Sequence, residues 1–273
     1  MEFRPCIDIH NGKVKQIVGK SLRDEGDFAT ENFVSERSAA DFARLYKKHG
    51  LRGGHVILLN ARDSDYYEAT KAQAFSVLEA YPGGLQIGGG ITADNAEEFI
   101  RAGASHVIVT SYVFSGGEIR FDRLEELKAK VGRAHLVLDV SCRKKEDGYY
   151  VVTDRWQKMT KERVSTALLE RLSGYADEFL VHAVDVEGQA RGIEKELVEM
   201  LGAWRSGNDT AIKGSGQNPS PAVTYAGGVG SFADLEELAQ IGQGCVNVTI
   251  GSALDLFGGK MSFKEVIKFC AKS

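Results

Sequence analysis

Two aspartates each close a short apolar run, Asp8 in CIDIH and Asp139 in LVLDV. A carboxyl at the end of a buried strand is held by the strand yet faces open space, so it can pass a proton to a bound ligand. A single aspartate there would be an ordinary turn former or helix cap. A second one, half the chain away in the same setting, suggests an acid and a base working on one ligand from opposite sides.

A second pair of features accompanies them. GGGI at 88–91 precedes VIVTSYVF at 107–114, and AGGV at 226–229 precedes VTIGSALDLF at 248–257. Glycines let the backbone approach a ligand closely, and a helix starting just after such a turn offers further N–H groups to an anion. Each cluster is followed one unit later by a small-residue turn, Thr110–Ser111 or Gly251–Ser252. Gly89, Gly90, Thr110 and Ser111 are therefore expected to hold one phosphate. Gly227, Gly228, Gly251 and Ser252 are expected to hold a second, at the far end of an elongated ligand.

The elements that must position these groups are eight short β-rich runs, at 3–9, 55–60, 85–88, 106–111, 135–141, 179–185, 222–227 and 246–251. Between them, apolar residues recur at helical spacing over 36–49, 93–102, 120–131, 161–173, 194–205 and 232–241. Repeated βα units predict an α/β chain folded as one (β/α)8 TIM barrel over 1–273, made of two similar halves, 1–133 and 134–273. An open doubly wound sheet is the alternative that periodicity leaves standing. In a barrel all strand ends open on one face, so Asp8 on the first strand and Asp139 on the fifth stand diametrically opposed. Two segments interrupt the pattern. Residues 143–160, with Glu146-Asp147-Gly148 as a turn, read as a small hairpin excursion, and 206–221, rich in Gly, Ser, Asn and Pro, as an insertion loop. The charged stretch Lys20–Asn32 reads as a lid.

Composition narrows the function class. Of 273 residues, 43% are hydrophobic and 26% charged, as in an ordinary globular chain. A net charge of −4 gives no basic field for nucleic acid or anionic lipid. Cys6, Cys142, Cys245 and Cys270 are far apart, which argues against a disulfide framework or a structural zinc and predicts no metal. No apolar run approaches the roughly 18 residues of a membrane span, and no targeting segment is visible.

CIDIHNGKVKQIVG, both glycine turns, LDVSCRK at 138–144, HAVDVEG at 182–188 and TIGSALD at 249–255 together resemble the phosphoribosylformimino-aminoimidazole carboxamide ribotide isomerases of histidine biosynthesis. The likeness spans nearly the whole chain. It implies an Amadori rearrangement of an aminoaldose to an aminoketose on a bis-phosphorylated ribotide, without metal or organic cofactor. By similarity Asp8 is the base and Asp139 the acid that opens the ribose ring, which requires a raised pKa at Asp139. His182 stands where bacterial members carry Thr or Ser and could hydrogen-bond the ring or the acid, with Asp185 a weaker candidate beside it. Trp156 resembles the family's aromatic that stacks on the aminoimidazole, flanked by Arg155 and Gln157. Arg143 and Lys144 could meet the substrate electrostatically.

Three other activities compete. The sister cyclase shares the barrel and both aspartates but resembles a pattern with lysine where this chain has Gln16. A bifunctional isomerase also acting on phosphoribosylanthranilate is a second possibility, and a silent sensor of phosphorylated ligands is the third. SCRK, His182 and the D-V-E-G run look eukaryotic. They imply a plastid location if the source is a plant and a cytoplasmic one if it is a fungus. Two phosphate sites within one chain suggest a monomer.

Overall fold

The computed structural model describes residues 1–17, 21–22, 27–154, 156–212 and 219–272. Much of the expected lid and Arg155 lie outside that set. The eight strands are β1 (Cys6–His10), β2 (Gly54–Leu58), β3 (Leu85–Gly88), β4 (Val107–Val109), β5 (Leu136–Asp139), β6 (Glu178–His182), β7 (Ala222–Ala226) and β8 (Val246–Thr249). Each pairs in parallel with the next. The ring closes where Phe3, just before β1, bridges Val248 in parallel. There the Arg4 N–H donates to Val248 O and the Val248 N–H to Glu2 O, both at 2.9 Å. The chain is thus the single barrel that eight βα units predicted.

Eight helices surround it: α1 (Ala39–Lys48), α2 (Tyr67–Ala80), α3 (Ala96–Arg101), α4 (Phe121–Val131), α5 (Thr166–Leu172), α6 (Lys195–Ile212), α7 (Phe232–Ile241) and α8 (Phe263–Cys270). Side chains alternate along each strand. Ile7, Val56, Ile87, Val109, Leu138, Val181, Tyr225 and Val248 face the helices and join the main core. Ile57, Ile108, Val137 and Leu180 face inward and pack on one another as a separate apolar plug. Asp139 follows Val137 by two residues on the same inward row, and His182 follows Leu180 likewise. The plug therefore forms the floor from which the site side chains rise.

Below the plug the lumen is polar. Glu178 accepts from Arg4, from Thr224 Oγ1 and from Gln86 Nε2 at 2.6 Å. This cluster closes the bottom of the barrel around the Glu178 carboxylate, leaving Arg4 Nε without a hydrogen-bond partner.

Several boundaries differ from the expected ones. The interval 206–221 is not all loop, because α6 runs on to Ile212. Trp204, packed on Phe179 at 5.6 Å, anchors the helix, and no proline occurs before Pro219, so propagation past Arg205 costs little. The excursion after β5 is a three-stranded antiparallel sheet, Cys142–Lys145, Gly148–Thr153 and Lys158–Arg163. Its third strand takes the residues expected to begin α5, which starts instead after Ser165, whose hydroxyl caps Leu168 N. β1 also continues beyond its expected end. It turns at Asn11–Gly12, with φ of 51° and 71°, into the antiparallel strand Lys13–Ile17.

Candidate active site

The strand ends open into one cavity of about 360 Å³. Its lining includes Asp8, Asp139, His182, Trp156, both glycine turns, Thr110, Ser111, Gly251 and Ser252. The residues expected to act together are brought together, with Arg143 the exception. Arg143 lies in the Cys142–Lys145 strand beside the cavity, does not line it, and has a buried Nε without a hydrogen-bond partner.

The two aspartates sit in unlike surroundings. Asp139 is the better supported. Its Oδ2 accepts from Thr110 Oγ1 at 3.0 Å, and its Oδ1 accepts from Ser141 N at 2.8 Å and from the Ser141 hydroxyl. His182 Nδ1 lies 3.1 Å from Ser141 Oγ and 3.8 Å from Asp139 Oδ1. With the hydroxyl donating to Asp139, Nδ1–H donates to that hydroxyl, giving a proton chain from His182 through Ser141 to Asp139. Burial works against the Asp139 anion, but the neighbouring His182 and the Ser141 donors outweigh it and hold the carboxyl below its ordinary range. His182 is held above its own, with the Asp139 interaction overcoming burial.

Among the described residues Asp8 has one donor, of a different kind, the neutral amide of Gln16, whose Nε2 lies 3.3 Å from Oδ2. Burial and the carboxyl of Glu187 push the Asp8 pKa up to about 7, against smaller opposing effects of His182 and Gln16. The raised pKa expected at Asp139 is therefore found at Asp8. The cause is the number and charge of the donors, which strand position does not disclose.

Besides Ser141, two residues around the aspartates were not anticipated. Glu187, from the HAVDVEG run, lines the cavity with a buried Oε2 that has no hydrogen-bond partner, and burial raises its pKa. His55 on β2 meets the His182 ring edge-on at 5.6 Å, and burial pushes its pKa down to about 3. It is a neutral wall of the site. Alternation marks His55 as inward-facing, a signal available in GHVIL.

Other expected roles shift. Thr110 spends its hydroxyl on Asp139, and Ser111 Oγ accepts from Asp154 N at 2.9 Å, tying the excursion to β4. Trp156 packs on His182 at 5.6 Å between ring centres, with φ at 65°. Of the helices after the glycine turns, α7 is capped by Ser231, whose hydroxyl accepts from Asp234 N, and Gly230 N donates to Asp234 Oδ2. Ahead of α3, Thr92 N donates to Asn95 Oδ1, but Asn95 makes no side-chain cap bond to the helix itself. The turns themselves stay free, since among the described residues no backbone carbonyl accepts from the N–H of Gly89, Gly90, Ser111, Gly227, Gly228 or Ser252. Asp185 accepts from Lys144 N at 2.9 Å, and Lys144 pairs with Glu196 at 2.8 Å, so the excursion is docked onto the loop after β6 and onto the first turn of α6.

Comparison with known proteins agrees with this geometry. Residues 2–262 match the family model described as histidine biosynthesis protein. A chloroplastic 1-(5-phosphoribosyl)-5-((5-phosphoribosylamino)methylideneamino)imidazole-4-carboxamide isomerase of Medicago truncatula is 51% identical over 98% of this chain and 81% of its own length. Isomerases of the same name from Yarrowia lipolytica and Saccharomyces cerevisiae are 42% and 38% identical, covering 99% and 95% of this chain and 98% and 94% of theirs. By both measures the chain belongs to the histidine biosynthesis protein family.

Proposed function

We propose that the cavity rearranges a bis-phosphorylated aminoaldose ribotide into its aminoketose, with Asp8 as base and the Asp139–Ser141–His182 chain as proton donor. The name of the Medicago relative describes a substrate with two phosphoribosyl groups, which fits two facing glycine turns. The observation that carries the reading is the pair of carboxyls on β1 and β5, opposed across one cavity and unlike in proton affinity.

The steps follow from that difference. A proton delivered to the ribose ring oxygen breaks its bond to the anomeric carbon and leaves a Schiff base. Asp139 stays ionised near neutrality because its pKa is held low, so the donated proton comes from His182 and passes through Ser141 and Asp139. Asp8, with a pKa near the working pH, is a stronger base than an ordinary aspartate and removes the proton from C2 of the opened sugar. Return of a proton at C1, with loss of the proton from the C2 hydroxyl, completes the aminoketose, and no atom other than hydrogen moves. Neutral His55 and Trp156 flank His182 and keep water from the imidazolium.

Both phosphate sites lie in one chain, which supports a monomer, and the chloroplastic Medicago relative supports a plastid location. The test is turnover of the aminoaldose ribotide by the purified protein beside Asp8→Asn and Asp139→Asn. Conversion lost in both variants is the expected result. Tight binding without conversion by the intact protein would favour the silent sensor.

A further inference from the structure

The two glycine turns facing each other across the mouth are alike in backbone and unlike in charge. Beside the second stands a carboxyl, since a Cβ on Gly227 would lie 3.2 Å from Glu187 Oε2. Beside the first stands a cation. Among the described residues, and apart from its chain neighbours, the atoms within 4 Å of a Cβ on Gly90 would be Arg62 Nε at 3.6 Å and Arg62 Cγ at 3.7 Å.

Arg62 belongs to the loop between β2 and α2, lines the cavity, and is exposed at its rim. Its Nη2 reaches Thr92 Oγ1 at 3.5 Å, across to the loop after β3. Asp63 and Asp65 are close in sequence, yet Arg62 is in no ion pair among the described residues. A surface arginine beside two acidic residues commonly takes one of them as partner. This one lies along a turn whose Gly89 and Gly90 N–H groups meet no backbone acceptor. A planar guanidinium and backbone N–H groups converging on one space are the donor set that fits a phosphate dianion.

We infer that Arg62 is the cation of the first phosphate site, closing over a phosphate held by the Gly89–Gly90 turn, while the second site binds its phosphate through neutral donors. This inference rests on the two-phosphate substrate proposed above. Arg62 is remote from Asp8 and Asp139 in role. It binds substrate and transition state alike, so its loss acts on KM and not on kcat.

The test uses the full chain and Arg62→Met, which keeps the length of the stem at an exposed position, with Arg62→Lys beside it. Two probes are read, inorganic phosphate by thermal shift and the ribotide by steady-state kinetics. Loss of one charge-assisted contact predicts a KM raised about 10- to 100-fold in Arg62→Met, with kcat within about twofold. It also predicts phosphate protection weakened at least about fivefold, and partial rescue by lysine, which keeps the charge and loses the fork. Unchanged KM and unchanged phosphate protection in Arg62→Met would overturn the assignment, as would a fall in kcat at constant KM. If the intact protein fails to turn over the ribotide, the isomerase reading falls instead, and the phosphate titration alone still decides the role of Arg62.

Discussion

Asp8 and Asp139 hold equivalent places in the two halves of the barrel, each at or near the end of its strand above an apolar plug. Asp8 receives one hydrogen bond of 3.3 Å from a neutral amide and faces Glu187. Asp139 receives three, from Thr110 and Ser141, and stands beside His182. The backbone repeat thus supplies position, and the side chains around it supply opposite proton affinities. Duplicating a half-barrel gives two carboxyls in one cavity, but a division of labour arises only once their neighbours diverge.

The most severe way to break this comparison is to remove each carboxyl in turn. Asp8→Asn and Asp139→Asn keep the shape and lose proton transfer, so kcat is expected to fall by about 10²- to 10⁴-fold in each, with KM within a few-fold. Steady-state rates on the aminoaldose ribotide check it. An Asp139→Asn enzyme within tenfold of the parent would show that protons reach the ring without Asp139.

His182→Asn is the next largest. Asparagine can still meet Ser141 but carries no proton to give. We expect kcat lowered by about 10- to 100-fold, within the span of general acid catalysis. The alkaline fall of the rate profile, set by an imidazolium held above its ordinary range, should disappear. An alkaline limb unchanged in position would assign that ionisation to another group.

The placement of these groups was largely legible in the sequence. Apolar runs ending in Asp8 and Asp139, and the duplicated glycine turns, are local patterns that the barrel preserves. Less of their chemistry was visible. That Ser141 and Thr110 both spend their hydroxyls on Asp139 depends on how β4 and β5 lie side by side. That Glu187 faces Asp8 depends on the path of the loop after β6 across the barrel mouth. Periodicity reports neither. Other misses were local and readable. The Asn11–Gly12 pair is a strong hairpin signal, and it accounts for the strand that brings Gln16 against Asp8. The run through Ile212 in α6 was obscured because Gly207, Asn208 and Asp209 are poor helix formers carried by the packed turns before them.

Glu187→Gln sharpens the comparison by removing one cause of the high Asp8 pKa and keeping the other. Burial is the larger cause and remains, so the acid limb of kcat/KM should move down from near pH 7 by less than about one unit, not to the ordinary aspartate range. The sign is fixed, since loss of a neighbouring negative charge makes the Asp8 anion easier to form. A limb that stays in place would mean that Glu187 is uncharged when Asp8 ionises, and one that moves upward would mean that the limb belongs to another group.

The smallest expected effect is on stability. The Asp8 pKa is about 7 in the folded chain against 3.8 for an ordinary aspartate, so the folded state binds the proton more tightly than the unfolded state does. Stability from this group is therefore fully present below about pH 4 and is lost as pH rises through 7. Asp8→Asn has no carboxyl to ionise and escapes that loss. Its melting temperature should exceed that of the parent at pH 8 by at least about 2 °C, on the scale of 2–4 °C per kcal/mol for a chain of this size. The gap should narrow steadily toward pH 4. Asp139 shifts the opposite way and keeps its own slope in both proteins, so the difference between the two melting curves isolates Asp8. A constant gap from pH 4 to pH 8 would mean that Asp8 ionises in the folded chain as easily as in the unfolded one, and the electrostatic contrast between the two halves would fail at its stronger end.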